Sequence, residues 1–122
     1  MSRARVTFGK TGEDLACCEL ERRGYAILAR RHRCRSGELD IIARDGPTLV
    51  FIEVKARDGH AFGDAAEAVT WQKQQRIVRL ASEYIMRHHL SDSPCRFDVV
   101  SIQFDHGRPV LEVFQNAFSA VG

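Results

Sequence analysis

Helical and strand periodicities alternate along the chain and predict an α/β or α+β sandwich with a mixed sheet, in the order αβββαββ. Three observations carry that reading. Two segments have apolar residues at helical spacing, around Ala16-Leu20 and Ile77-Ile85. Asp45-Gly46 stands between two apolar runs, a strong hairpin signal. Leu49-Val50-Phe51-Ile52 is apolar on both faces, as expected of a central strand covered on both sides.

The elements follow in order. Met1 to Thr7 reads as a loose opening within residues 1–8. Thr11, with Asp14 three residues on, is a weak capping-box pattern and starts a helix that runs to about Arg23 and stops at Gly24. Tyr25 to Arg33 reads as a strand, apolar first and arginine-rich later. Leu39 to Ala43 and Thr48 to Ala56 form the hairpin around Asp45-Gly46. A loop with Gly59 and Gly63 leads to a long helix from about Trp71 to His88, with a start as early as Asp64 left open. Ile77, Leu80, Ala81, Tyr84 and Ile85 form its buried stripe. Pro94 ends the connection, and Phe97 to Phe104 and Val110 to Phe114 are strands joined around His106-Gly107.

With 122 residues, 44% hydrophobic and 28% charged, the chain is one domain's worth of ordinary globular composition. No apolar run approaches the roughly 18 residues of a membrane span, and Met1 to Leu15 lacks the apolar centre of a secretory signal, so the expectation is a cytoplasmic protein without membrane contact. Cys17 and Cys18 are adjacent and Cys34 and Cys95 stand alone, so no zinc scaffold is present and reduced thiols are expected. The net charge of +2 hides an asymmetry. Arg22 to Arg44 holds seven arginines against Glu38 and Asp40, whereas Phe97 to Gly122 has Arg108 against Asp98, Asp105 and Glu112. The first stretch suits a polyanion or a solvated face.

Lysine is scarce, at Lys10, Lys55 and Lys73, and two of the three converge with carboxylates. Glu53 and Lys55 share one face of their strand. Asp40 joins that face in any register of odd parity; closure around Asp45-Gly46 would pair Arg44 with Pro47 and satisfy this. Two neighbouring carboxylates resist joint ionisation, and a divalent cation with a taste for hard oxygen ligands, Mg²⁺ or Mn²⁺, resolves the conflict. A fixed Asp–Lys–Glu ion cluster is the alternative. Glu13 extends the apolar stripe of the first helix, and Lys73 that of the second; helix-dipole and snorkelling roles are the plain alternatives for them.

Asp40 followed by Glu53-x-Lys55 resembles the P-D-(D/E)-x-K nuclease motif without its proline. The longer strings resemble the YraN family of small bacterial proteins over nearly the whole chain: G-K-T-G-E-D-L-A from Gly9, G-E-L-D-I-I from Gly37, V-F-I-E-V-K-A-R from Val50, A-V-T-W-Q-K from Ala68 and R-F-D-V-V from Arg96. The resemblance implies a restriction-endonuclease-like sandwich and a similarity to archaeal Holliday-junction resolvases. It implies that Asp40 and Glu53 are metal ligands with the Val54 carbonyl, that Lys55 and Glu13 belong to the catalytic set, and that Lys73 contacts phosphate. Arg31-His32-Arg33 departs from the pattern, which leads one to expect Asn near its first position.

The function so implied is a Mg²⁺-dependent nuclease for structured or branched DNA, with Arg31, Arg33 and Arg35 among the arginines that follow phosphates. A nucleic-acid-binding module without turnover, working in a larger complex, is the second reading, and a structural dimer or adaptor the third. A homodimer is expected by analogy with symmetric nicking of a junction.

Overall fold

The computed structural model describes residues 8–58 and 69–120, with side chains described from Gly12 to Ala56 and from Val69. The expectations of a loose opening at Met1 to Thr7, a loop at Gly59 and Gly63, and a helix start near Asp64 lie outside the described residues. The elements are α1 (Phe8–Arg22), β1 (Ala26–Cys34), β2 (Gly37–Asp45), β3 (Thr48–Asp58), α2 (Trp71–Arg87), β4 (Cys95–Asp105) and β5 (Arg108–Phe118). This is the expected α/β order. The sheet has five strands in the order β1-β2-β3-β4-β5, with β3 and β4 parallel and every other neighbouring pair antiparallel.

Strand β3 explains why two layers cover the sheet. Val50 and Ile52 pack with Ala16, Cys17 and Leu20 of α1, while Leu49 and Phe51 pack with Ile77, Leu80 and Ala81 of α2. Each residue of Leu49-Val50-Phe51-Ile52 is at most 3% exposed, so burial on both faces stabilises this strand more than any edge strand could manage. Phe51 stacks on Phe97 and Phe97 on Phe118, extending the α2-side core across three strands.

The helix α1 begins three residues before the expected Thr11. Gly9 and Gly12 hide the earlier start, because glycine costs roughly 1 kcal/mol in a helix. Packing explains Gly12: a Cβ there would meet the Ala56 Cβ at 3.2 Å, so the glycine lets α1 approach β3. The stop is as expected. Gly24 has φ +97°, and Tyr25 N–H donates to the Leu20 carbonyl while Gly24 N–H donates to that of Glu21. That is a Schellman ending, sealed by burial of Tyr25 and Leu20 together.

The first hairpin closes one residue later than expected. Asp45 pairs with Thr48, so Gly46 and Pro47 form the turn. Closure around Asp45-Gly46 would have set Pro47 in the ladder, where it has no N–H to give. Gly46 takes the positive φ of +59° instead. The shift preserves parity, so Asp40 stays on the expected side. The second hairpin closes around His106-Gly107, both at positive φ, as expected. Thr70 caps α2, its Oγ1 accepting from Lys73 N–H at 3.2 Å. Among the described residues no helix is long and apolar enough to cross a membrane.

Candidate functional site

The ladder between β2 and β3 ends at Ile41–Ile52, although β2 stays paired with β1 to Gly37 and β3 with β4 to Asp58. Beyond that point β2 and β3 part. The Val54 N–H, with no β2 carbonyl to meet, donates to Asp40 Oδ2 at 2.9 Å. A side chain has thus taken over a backbone partner's place, and it sets the Asp40 carboxylate near enough to Glu53 for their charges to repel.

Glu53 is buried, at 5% exposed, and Asp40 is half-buried. Burial, then the charge of Glu53, pushes the Asp40 carboxyl up to about 7, against the lowering effect of the Val54 N–H. Glu13, on the second turn of α1, adds a third carboxylate whose charge also raises Asp40. It is buried, and burial raises its own pKa although Arg31 and Arg30 oppose the shift. Arg31 Nε and Arg30 Nη2 stand 3.5 Å and 3.7 Å from its oxygens, too far for good hydrogen bonds. Among the described residues Glu13 Oε1 has no hydrogen-bond partner. Its place in the second turn, not the first, weakens the helix-dipole reading.

The two lysines differ. Lys55 lies two residues beyond Glu53, beside Ser101 in register, and no described residue forms an ion pair with it. Lys73, in the first turn of α2, places Nζ 2.6 Å from Glu53 Oε2. It is therefore no snorkelling lysine: the crossover from β3 brings its ammonium into the acidic cluster.

The arginines expected to follow phosphates have different partners. Arg31 turns to Glu13, Arg33 pairs loosely with Glu38 at 3.5 Å, and Arg35 lines a small cavity with His32, Cys34, Glu83, Tyr84 and Arg87. Arg31 has φ +49°, a left-handed conformation that asparagine adopts far more readily than arginine. This gives the expected Asn near that position a backbone reason.

Among the described residues no group of three or more His, Cys, Asp and Glu side chains is set to hold a metal ion. The donor chemistry still fits one. A half-buried Asp40 beside a buried Glu53 favours a proton or a cation between them, and Glu13 lies near enough for its charge to act on Asp40 too.

Residues 12–102 match the model of the uncharacterised protein family UPF0102. The chain belongs to this family. It is 45% identical over 120 residues to the UPF0102 protein of Pelotomaculum thermopropionicum, covering 97% of this chain and 100% of that one. It is 50% identical over 113 residues to the UPF0102 protein of Symbiobacterium thermophilum, covering 92% and 96%. The UPF0102 match runs from just before Glu13 to past Lys73 and so takes in Asp40, Glu53, Lys55 and Lys73. Strand β5 lies beyond it.

Two features of this UPF0102 chain escaped the sequence reading. One is a basic surface on α2, where Thr70, Gln72, Lys73, Arg76 and Arg79 line an open cavity of about 370 Å³. Its signal was a helix face with three cations and no acid between Thr70 and Ser82. The other is a buried network around Asp98, whose signal was an aspartate inside the apolar string R-F-D-V-V.

Proposed function

We propose that the chain is a divalent-cation-dependent nuclease that hydrolyses phosphodiester bonds in structured or branched DNA, in the manner of the restriction-endonuclease-like enzymes it resembles. The observation that carries this reading is the parting of β2 and β3, which leaves Asp40 and Glu53 as interacting acids at the open end of the sheet, with Lys55 two residues further on the strand. A purely structural cluster would satisfy its charges; this one keeps a buried carboxylate oxygen without a hydrogen bond and a lysine without an ion pair among the described residues.

Asp40 and Glu53, with the Val54 carbonyl, would hold Mg²⁺ or Mn²⁺. Such an ion supplies a Lewis acid that lowers the pKa of a bound water and offsets charge on the phosphate. Lys55 then donates to the attacking oxygen or to a phosphate oxygen. Lys73 leaves Glu53 for a phosphate when the acid's charge is otherwise satisfied. Glu13 completes the acidic wall of the site. Two copies of the chain would cut the two strands of a junction.

The test is cleavage of a four-way junction, a flap, a single strand and a linear duplex with Mg²⁺ and with Mn²⁺, Glu53→Gln beside the wild type. Cleavage by the wild type alone supports the proposal; equal cleavage by the variant would sink it.

A second reading rests on Lys73. Its ammonium already neutralises Glu53 at 2.6 Å, which suits a module that binds nucleic acid without cutting. Salt-sensitive binding by both proteins with cleavage by neither would favour it.

A further inference from the structure

The first turns of α2 carry a combination that the acidic cluster does not use. Trp71, the sole tryptophan of the chain, is 65% exposed at the first position of the helix. Burial would have stabilised the fold through so large a ring, so its exposure on a helix with a well-buried opposite stripe needs a reason. Its chain neighbours Thr70 and Gln72 line the open cavity with Lys73, Arg76 and Arg79. Among the described residues neither Arg76 nor Arg79 is in an ion pair, and the run from Thr70 to Ser82 has no acidic residue. Arg76 and Arg79 are three apart, hence neighbours on the helix surface about 5–6 Å from each other. Lys73 belongs to both places: it lines this cavity and touches Glu53.

An exposed aromatic ring on the same helix turns as two arginines unpaired among the described residues is the chemistry that takes unpaired nucleotides, since a stacked base needs its face free and the backbone needs neutralising. A paired duplex offers the cations its phosphates but no base face to Trp71. We infer that the start of α2 grips an unpaired nucleic-acid strand, a base stacking on Trp71 and successive phosphates on Arg76 and Arg79, so that the strand passes Lys73 on its way to Glu53. The inference rests on the nucleic-acid side of the proposed function and adds that the substrate must be single-stranded next to the cut.

Trp71 emission reports the contact directly. The wild type is titrated in EDTA with oligothymidylate of about twelve nucleotides, within the usual site size of a single-strand binder, and with a blunt duplex of equal length. The expected result is quenching by the single strand and none by the duplex. Trp71→Ala should weaken single-strand binding roughly tenfold, and Trp71→Phe should recover most of the loss. Replacing Arg76 and Arg79 together by Ala should flatten the salt slope by about 1.4, near 0.7 per single-strand phosphate. All these positions are at the surface, and circular dichroism checks the fold. Binding of the single strand with unchanged emission and undiminished affinity in Trp71→Ala would overturn the inference, as would equal quenching by the duplex. Failure to bind either DNA would overturn it together with the nucleic-acid reading. Quenching as expected alongside undiminished cleavage by Glu53→Gln would leave it standing and remove the proposed catalytic site alone.

Discussion

Asp98 and Glu53 are buried carboxylates on adjacent parallel strands, 0% and 5% exposed, yet their surroundings are built on opposite terms. Asp98 faces the α1 side and has every lone pair answered. Its Oδ1 accepts from Arg96 Nε and from Asn116 N–H, both at 2.9 Å, and its Oδ2 from the Tyr25 hydroxyl at 2.8 Å and from Arg96 Nη2 at 3.0 Å. Arg96 reaches on to Asp45, and Gln115 donates to the Tyr25 oxygen. The bulge in β5, with Asn116 at φ +54°, aims that amide at Asp98. Glu53 faces the α2 side beside another acid, Asp40, with Glu13 nearby and a single lysine in contact. A finished network stabilises one unique arrangement; an unfinished one holds charge that something else must complete. The contrast separates structural burial of charge from burial that awaits a ligand.

The largest effect should come from the finished side. Asp98→Ala leaves Arg96, Tyr25 and the Asn116 amide without their shared acceptor. Loss of one partner of a buried pair costs roughly 3–5 kcal/mol. Urea unfolding should show a correspondingly lower midpoint. A loss below about 1 kcal/mol, the worth of an exposed pair, would mean that Asp98 is no keystone and would blur the comparison.

The unfinished side should respond to cations instead. Mg²⁺ or Mn²⁺ should raise the thermal midpoint of the wild type, by the equivalent of about 2.7 kcal/mol at a hundred times the dissociation constant. Glu53→Gln should lose most of that gain, while Asp98→Ala, if folded, should keep it. Equal stabilisation of wild type and Glu53→Gln would place the ion elsewhere.

The sequence made part of this contrast legible. Parity alone brought Asp40, Glu53 and Lys55 to one face, because a strand has period two and the hairpin was short. Gly24 announced its helix stop for a similarly local reason. What stayed hidden depended on distant contacts. Lys73 could be placed on an inward stripe but not against Glu53, since the crossover between them sets that distance. Gly12 looked like a helix breaker until Ala56 appeared beside it. Asp98 read only as part of a family string, because its partners lie 73 residues before it, 18 after it and two before it on β4. Arg31 gave no hint of its left-handed backbone.

The smallest effect has the opposite sign and is the sharpest test. In EDTA, Asp40→Asn should make the chain more stable at about pH 8. The Asp40 carboxyl has an ordinary value of 3.8 and is raised in the fold to about 7, by burial and then by Glu53. Between those values the unfolded chain releases a proton that the folded chain keeps, so the wild type loses stability as pH rises from about 4 to 7 and then levels off. Asparagine never has that proton to lose. Its side-chain oxygen can still accept from Val54 N–H, and its amide can donate to Glu53 where two carboxylates conflicted. The gain should be on the order of 2 kcal/mol above pH 7, less than the full linkage value because a neutral amide oxygen accepts more weakly from the Val54 N–H than a carboxylate does. It should vanish near pH 4, where both proteins carry a neutral group at this position. Urea denaturation at the two pH values measures the difference. A less stable Asp40→Asn at pH 8 without cations would show that the Asp40 charge is as fully answered as that of Asp98, and the distinction between the two clusters would fall.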